Sequence, residues 1–213
     1  MTLRVLFLGE GTSDSGITVH VQRIATESGV DVVITDPLID RLGRPPNKTV
    51  AGKLQAIKDI GGVYDLVVIH RDGDRDGREA RVAEIERAVA DVMPEAVHAP
   101  VIPIRMTEAW LLLDEREIRQ VAGNPNGKAA LGLPAVRKVE TVPDPKATLK
   151  EVLCRASDLN GRRLDKFKQR FPHHRRQLLE RIDPNGSIAL VPSWCDFVAD
   201  LTKGLEIAAT RNG

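Results

Sequence analysis

An apolar run that ends in three alternating aspartates constrains this chain more than any other feature of its sequence. Leu66 to Ile69 is a continuous apolar run of the kind that forms a buried strand, and Asp72, Asp74 and Asp76 follow within a few residues. Carboxylates this close together resist ionising at the same time unless a cation or a hydrogen-bond donor offsets their charge. A divalent cation with oxygen ligands is the commonest such partner. We therefore expect a magnesium-type metal site where this strand ends.

Strand-like and helix-like patterns alternate along the first half of the chain. The predicted strands are 3–8, 30–34, 66–69 and 97–104, and the segments between them carry apolar residues at helical spacing. This alternation is typical of a parallel sheet with helices on both faces, so the predicted fold class is α/β. Pro100 and Pro103 interrupt the last run, which favours an edge position or a short strand. Residues 36–46 are predicted to form an irregular loop.

The second half of the chain is predicted to be mainly helical. Residues 124–145 are rich in proline and glycine, so we place a boundary there between a first domain, 1–123, and a helical C-terminal extension, 124–213, packed on it. Just before this boundary, Asp114 with Glu117 predicts a capping box and Gly123 predicts a helix end. Further helices are predicted at 147–157, at 164–182 with a break at Pro172, and from 193 onward. An apolar stripe on the last helix is expected to pack on the main domain; it comprises Trp194, Phe197, Val198, Leu201 and Leu205.

Composition limits the partners and the compartment. The chain has 213 residues, of which 42% are apolar, with 31 basic and 30 acidic side chains. No global field draws such a protein onto nucleic acid or an anionic membrane, so any such partner must meet a local patch. The absence of a signal peptide and of a long apolar run predicts a soluble cytoplasmic protein without a membrane partner. Cys154 and Cys195 lie in no metal-ligand or redox spacing and are interpreted as buried thiols in a reducing compartment.

Acidic residues also follow the first predicted strand. Glu10 stands between Gly9 and Gly11, where the backbone can approach a ligand closely, and Asp14 comes four residues after Glu10. Ligands of parallel sheets bind beyond the carboxyl ends of the strands, so we expect Glu10 to lie near the aspartates that follow Ile69. Asp14 is interpreted either as a second functional acid or as the cap of the helix that follows it.

The aspartate motif has two structural alternatives to a magnesium site. Residues 72–77 fit the first half of a calcium-binding helix-loop-helix loop, but the twelfth position is Ala83 instead of glutamate, and a strand precedes the motif. Asp76 with Glu79 resembles a helix N-cap box, so Asp76 has a capping role, a metal contact or both. Asp72 and Asp74 have no comparable structural role, so we favour them as metal ligands.

Two charged side chains outside these motifs are auxiliary candidates. Arg71 adjoins the aspartates and could pair with them or with a substrate phosphate. Glu108 precedes an apolar run at 109–113, so it is either exposed at a helix start or directed at the site. The glycines after the first strand and the segment 123–128 complete neither a dinucleotide fingerprint nor a Walker loop.

A basic segment stands out in an otherwise nearly neutral chain. Residues 161–181 contain eight lysines and arginines against two acids. Charge runs are usually solvated faces, but this imbalance favours contact with a phosphate backbone. The candidate contacts are Lys146, Arg162, Arg163, Lys166, Lys168, Arg175 and Arg176. Phe167 and Phe171 are interpreted as core residues.

These motifs resemble a known family. Residues 10–14 after the first strand and 72–74 after the third are similar to the glutamate and Asp-x-Asp motifs of the Toprim fold, which topoisomerases, primases, recombination proteins and overcoming-lysogenization-defect nucleases share. The segments 71–74, 106–110, 144–146 and 195–197 resemble small stand-alone Toprim-like proteins of bacteria, often paired with an SMC-type ATPase in phage-defence operons. The Toprim match covers about the first half of the chain. Asp14 departs from the pattern, since close relatives tend to have glutamate there.

The resemblance implies a function and a site. It implies that Glu10, Asp72 and Asp74 bind Mg²⁺ or Mn²⁺ and that Glu10 acts as a ligand or as the general acid/base. Asp76 is added as a metal candidate from its place in the aspartate motif and not from the resemblance. The expected reaction is hydrolysis of phosphodiester bonds in DNA or RNA, and the expected setting is antiviral defence. The single Tyr64 precedes the third strand and does not suit topoisomerase chemistry.

Two other functions stay open at this point. In the first, the chain is an effector subunit that docks on a partner ATPase and is silent without it. In the second, it is a phosphatase of the haloacid-dehalogenase type, which also uses Asp-x-Asp after a strand. That family carries the motif on its first strand, whereas here it follows the third, so we rank the phosphatase last.

Overall fold

A computed structural model describes residues 2–37, 39 and 46–212. The predicted loop at 36–46 falls mostly outside these residues. The described chain divides into two compact units, which we call the first unit, Met1–Ile102 with Asp196–Gly213, and the second unit, Pro103–Cys195. These bounds differ from the division at 123/124 predicted from the sequence. They differ because residues 107–112 pack with helices of the second unit.

The first unit is built on a parallel sheet. Its strands are β1 (Thr2–Leu8), β2 (Asp31–Thr35), β3 (Leu66–His70) and β4 (Val97–Val101). All pairings are parallel, and the order is β2-β1-β3-β4. The predicted α/β fold class is therefore confirmed. β4 lies at an edge, as Pro100 within it predicted, because an edge strand tolerates the missing N–H of proline.

Helices of the first unit cover both faces of this sheet. They are α1 (Ile17–Glu27), α2 (Val50–Asp59), α3 (Gly77–Val92) and the greater part of α8 (Pro192–Asn212). Val67 and Ile69 belong to one core cluster with apolar residues of α2 and α3. Leu66, which points to the opposite face, lies against α8, since a Cβ built on Gly204 would be 3.0 Å from Leu66 Cδ1.

Four of the five residues of the apolar stripe predicted on the last helix are buried; Val198 is half-buried, and Trp194 belongs to the second unit. Phe197, Leu201 and Leu205 belong to the first unit and are 0–1% exposed. Gly204 lets this helix approach β3 and β4 closely, since its built Cβ would also be 3.4 Å from Ala99 Cβ. The helix therefore completes the core of the first unit.

The second unit is helical. It contains α4 (Glu115–Val121), α5 (Pro145–Ser157), α6 (Gly161–Gln169) and α7 (Phe171–Glu180). The Asp114 carboxylate accepts a hydrogen bond from the Glu117 N–H at 3.0 Å, so the N-cap half of the predicted capping box is confirmed. The Glu117 carboxylate pairs instead with Arg181. Gly123 has φ +75° directly after α4, as a helix stop requires.

Two expectations drawn from composition have different outcomes. Among the described helices, none is long and apolar enough to cross a bilayer.

The interpretation of both cysteines as buried thiols is wrong, because Cys154 is only half-buried and Cys195 is exposed. Cys195 lies on the outward side of the first turn of α8, whereas its neighbour Trp194 is buried.

Candidate functional site

The carboxyl ends of β1 and β3 lie side by side at the point where the strand order reverses. Leu8 of β1 pairs with Ile69 of β3. From β1 the chain crosses to β2 on one side, and from β3 it crosses to β4 on the other. Such a switch point opens a crevice between two neighbouring strand ends, and ligands of parallel α/β sheets bind there.

Glu10 and the aspartate loop meet at this crevice, as the topology predicted. Glu10 Oε2 accepts a hydrogen bond from the Asp72 N–H at 2.9 Å. Glu10 Oε1 pairs with Arg71 Nη1 at 3.0 Å. The Glu10 side chain is 38% exposed, so a ligand can reach it from solvent.

His70 joins two of the acids beneath the crevice. Its side chain is fully buried, with Nδ1 3.2 Å from Asp14 Oδ2 and Nε2 3.4 Å from Asp72 Oδ1. Burial alone would lower the pKa of His70, but the Asp14 and Asp72 carboxylates outweigh it and raise that pKa to about 10. The imidazole is therefore protonated at neutral pH and holds both carboxylates in place.

Asp14 is a buried acid of the site that also caps the 3₁₀ turn Thr12–Gly16, which leads directly into α1. Its Oδ2 accepts a hydrogen bond from the Gly11 N–H at 2.7 Å and faces His70. The residue before α1 is Gly16, which makes no side-chain cap. Asp14 therefore fixes the loop that carries Glu10.

Lys53 of α2 supports the same loop from below. This lysine is 8% exposed, and its Nζ donates to the carbonyl oxygens of Gly9 at 2.7 Å and Glu10 at 3.1 Å. A buried ammonium requires such partners. The loop after β1 is thus held through both its main chain and its acidic side chains.

Asp74 lies at the tip of the aspartate loop with a left-handed backbone, φ +47°, which aspartate tolerates better than most residues. Its side chain is 45% exposed. Burial raises the pKa of Asp74, and the carboxylates of Asp72 and Glu10 raise it further, against the opposing effect of Arg81 and Arg71. Negative charge is therefore concentrated around Asp74.

Asp76 does not cap α3, so the capping interpretation is wrong. Its side chain makes no cap hydrogen bond and pairs instead with Arg81 Nη2 at 3.0 Å. Arg81 reaches back from α3, donating through Nε to the Asp72 carbonyl oxygen at 3.0 Å and through Nη1 to Glu84 at 2.9 Å. The guanidinium outcompetes the helix N–H groups for the Asp76 carboxylate.

The donor chemistry of the crevice fits Mg²⁺ or Mn²⁺, but the side-chain positions do not form a coordination shell. Among the described residues, no three His, Cys, Asp or Glu side chains converge into a group that could hold a metal ion. Glu10 is turned toward Arg71, and Asp72 Oδ1 faces His70. Carboxylate oxygens are nevertheless the ligands that Mg²⁺ prefers. The raised pKa of Asp74 reflects, in part, repulsion from the carboxylates of Asp72 and Glu10. Cation binding would require Glu10 to turn away from Arg71.

Glu108 lies in the second unit, in a buried ion pair with another predicted site residue. Its Oε1 accepts a hydrogen bond from Arg175 Nε at 2.9 Å, and the side chains of Glu108 and Arg175 are 4% and 7% exposed. Neither alternative for Glu108, an exposed helix start or an acid directed at the metal site, matches this pairing. The burial of Arg175 is also incompatible with its predicted contact to nucleic acid.

The remaining basic candidates of the second unit lie at its surface. The exposed residues are Lys146, Arg162, Arg163, Lys166, Lys168 and Arg176. Arg176 forms an ion pair with Glu180 at 2.7 Å on the same helix. Four of the six lie on α6, which presents a basic surface to solvent.

The sequence did not indicate the roles of three residues that shape the crevice. They are Lys53, Arg81 and His70, of which His70 links the carboxylates of Asp14 and Asp72. Lys53 and Arg81 lie on helices whose charged residues resemble any solvated face. A weak signal existed for His70, because it is the last residue of an otherwise apolar strand, where burial of an imidazole is costly without a hydrogen-bonding partner.

Comparison of the chain with protein-family models, with curated proteins and with solved structures found no match.

Proposed function

We propose that this chain is a phosphodiester hydrolase of the Toprim type, a nuclease that depends on Mg²⁺ or Mn²⁺ and acts on DNA or RNA. The hydrogen bond of 2.9 Å between Asp72 N–H and Glu10 Oε2 carries the proposal, because it joins acids from two neighbouring strand ends at the switch point. The resemblance of the two motifs to Toprim enzymes supplies the reaction class. It also suggests phage defence as the setting.

The acids of the crevice would hold the cation. Glu10, Asp72 and Asp74 would be its ligands, with Asp76 as a further candidate on the exposed side. The ion, when bound, supplies Lewis acidity toward phosphate oxygens and makes water a stronger acid.

The other residues of the crevice position these acids and the substrate. Lys53 fixes the carbonyl groups of Gly9 and Glu10, and protonated His70 orients Asp72. Arg71 also lies near Glu84, with Nε 3.5 Å from Oε1; when Glu10 turns toward a cation, Arg71 Nη1 can bind a phosphate oxygen through a charge-assisted hydrogen bond. Glu10, next to the water that attacks phosphorus, would take up its proton if it acts as the general base.

The basic surface of α6 supports a polyanionic substrate. Arg162, Arg163, Lys166 and Lys168 are exposed on this short helix, with Lys146 exposed on α5. Lysine and arginine side chains at a surface bind phosphate backbones with a strong dependence on salt. Cleavage is therefore expected to weaken as the ionic strength rises.

The test is cleavage of single-stranded DNA, double-stranded DNA and structured RNA by the wild type, Glu10→Gln and Asp72→Asn. We expect cleavage that requires Mg²⁺ or Mn²⁺ and that falls at least about 100-fold in both variants, because each removes a charged ligand or base. The matched controls are Glu27→Gln and Asp91→Asn, which change exposed acids on α1 and α3. Cleavage without a metal, or at the wild-type rate in both site variants, would refute the proposal.

A second function has one observation in its favour. The ion pair between Arg71 and Glu10 occupies an acid that a metal would need, which suits an effector subunit that is activated by a partner. On this alternative the isolated chain cleaves no nucleic acid, and an SMC-type ATPase that copurifies with it restores cleavage. Cleavage by the isolated chain at its full rate, unaffected by the ATPase, would exclude the alternative.

A further inference from the structure

The second unit contains a pocket of about 630 Å³ between α5, α6 and α7. Four apolar side chains line it: Leu153, Leu164, Phe167 and Phe171. None of the residues of the candidate active site takes part. A pocket of this size and character is typical of small-molecule sites, which are mostly apolar with a few placed polar groups.

The apolar wall of the pocket is only partly covered by the protein itself. Leu153 and Phe171 are buried, but Leu164 and Phe167 are half-buried, and α6 has no buried residue. A helix of a small domain normally buries its apolar face against a neighbour. On α6 that face borders open space, which an apolar ligand of matching size would fill.

Basic side chains dominate the charged part of the lining. The pocket is lined by Lys150, Arg155 and Lys168. Among the described residues that line it, Glu151 is the one acid. Lys150 Nζ lies 5.0 Å from the centroid of the Phe171 ring, within cation–π range. The excess of basic over acidic side chains favours a ligand with an anionic group attached to an aromatic or apolar part.

A buried polar atom of the lining has no partner within the described chain. His174 is 6% exposed, and its Nδ1 makes no hydrogen bond to any described residue. The His174 ring stacks on Phe167, with centroids 4.3 Å apart and planes tilted by 30°. Burial, together with the neighbouring His173 and Arg170, lowers the pKa of His174, so the imidazole is neutral at pH 7. An unpaired buried nitrogen is costly unless a ligand satisfies it.

We propose that this pocket binds a mononucleotide, with the base against Phe167 and Phe171, a hydrogen bond between the ligand and His174 Nδ1, and the phosphate at Lys150 and Lys168. Each part of the ligand corresponds to one observation: the half-buried Phe167 ring, the unpartnered imidazole nitrogen of His174 and the basic side chains of the lining. Such a site binds either a free nucleotide that regulates the protein or one nucleotide of a nucleic-acid strand. It does not depend on cleavage by the crevice acids.

The test is titration calorimetry of the whole chain with the four ribonucleoside 5′-monophosphates. There are three comparison ligands. Adenosine keeps the base without the phosphate, ribose 5-phosphate keeps the phosphate without the base, and decanoate is an apolar anion without a base. We expect at least one mononucleotide to bind with a dissociation constant below ~1 mM. Its two halves are expected to bind at least about tenfold more weakly.

Three variants connect that binding to the pocket. Lys168→Gln and Phe167→Ala are each expected to weaken mononucleotide binding about tenfold, since one removes a charge and the other a stacking surface. Lys138→Gln makes the same charge change at an exposed position of the second unit outside the pocket and is expected to leave the affinity unchanged. His174→Phe keeps a ring against Phe167 and removes the unpaired nitrogen, so we expect a folded protein of equal or higher stability with weaker binding.

Three results would overturn the proposal. One is no mononucleotide binding up to about 1 mM. Another is tighter binding of decanoate than of any nucleotide, which would assign the pocket to an alkyl chain. The third is unchanged affinity in both Lys168→Gln and His174→Phe, since that would place the bound nucleotide elsewhere on the chain.

Discussion

The imidazole of His70 connects the loops after β1 and β3, because Asp14 belongs to one and Asp72 to the other. Its protonated form pairs with both carboxylates. A neutral imidazole would lose part of this attraction and leave two acids close together. The arrangement of the crevice therefore depends on pH through a residue that no substrate needs to touch.

The raised pKa of His70 predicts a loss of stability at alkaline pH. A histidine has a pKa of about 6.5 in the unfolded chain, whereas His70 has one of about 10 in the folded protein. Its contribution to the free energy of unfolding is therefore complete below pH ~6.5 and is lost as the pH rises toward ~10. Urea denaturation at several pH values in this window should show a steeper decline for the wild type than for His70→Gln. Parallel profiles for the two proteins would contradict the assignment.

Arg71 is expected to compete with a metal for Glu10. In Arg71→Gln the glutamate loses its basic partner, so we predict that Mn²⁺ binds several-fold more tightly than to the wild type, as measured by calorimetry. The matched control is Arg78→Gln, since Arg78 pairs with Asp196 and Asp200 instead. Equal Mn²⁺ affinity in the wild type and both variants would show that Arg71 does not hold Glu10 away from the ion.

The sequence made the approach of Glu10 to Asp72 predictable, since it follows from a topological rule about parallel strands. The cations that hold the two loops were not predictable. Lys53 reaches the Gly9 carbonyl oxygen from a helix 44 residues further along the chain, and Arg81 reaches back from α3 to the Asp72 carbonyl oxygen. Asp76 shows the same limit. Its local pattern predicted a cap, and competition from a guanidinium decided otherwise.

Among the secondary-structure elements, those marked by local signals were predicted best. Pro100 indicated an edge strand and Gly123 a helix end, and each effect acts within a residue or two. The bend between α6 and α7 was also indicated, although it falls at Arg170 and not at Pro172, because proline is accommodated in the first turn of a helix. The absence of any buried residue on α6 was not predictable, since it depends on how three helices surround a pocket.

Helix α8 depends on a close approach to the sheet at Gly204. A Cβ there would lie 3.0 Å from Leu66 Cδ1 and 3.4 Å from Ala99 Cβ. We predict that Gly204→Val lowers the free energy of unfolding by about 1–3 kcal/mol through overpacking. In Gly204→Ala the gain in helix propensity, about 1 kcal/mol, should largely offset the tighter contact.

Urea denaturation checks both Gly204 variants. Glu206→Val is the control, since it places the same side chain on an exposed position of α8 and reports helix propensity alone. A loss for Gly204→Val no larger than for Glu206→Val would mean that α8 can move away from the sheet without cost.

The first unit is discontinuous, since its sheet comes from residues 1–102 and its last helix from 196–212. No linker composition marks the second boundary, which falls inside the first turn of a continuous helix. Sequence reasoning therefore placed one boundary in the proline-rich segment. It could not detect that the chain returns to its first core.

This discontinuity predicts that the C-terminal helix controls the stability of the first unit. Leu201 and Leu205 are fully buried, so Leu201→Ala and Leu205→Ala should each cost about 2–5 kcal/mol. Val198→Ala, at a half-buried position of the same helix, should cost less. Hydrogen exchange provides a direct measurement, since amides of β3 should lose protection in the two leucine variants. Unchanged protection of β3 would show that the sheet is stable without the helix.

The return of α8 also has a consequence during synthesis. The ribosome completes residue 102 well before it reaches residue 196. At roughly 5–20 residues per second, this interval lasts on the order of 5–20 s. Throughout it, the side of β3 and β4 that α8 will approach at Gly204 lacks this helix, and Leu66 and Ala99 are open to chaperones. Newly made chains should therefore depend on holdases until the C-terminus emerges, even though the finished protein buries this surface completely.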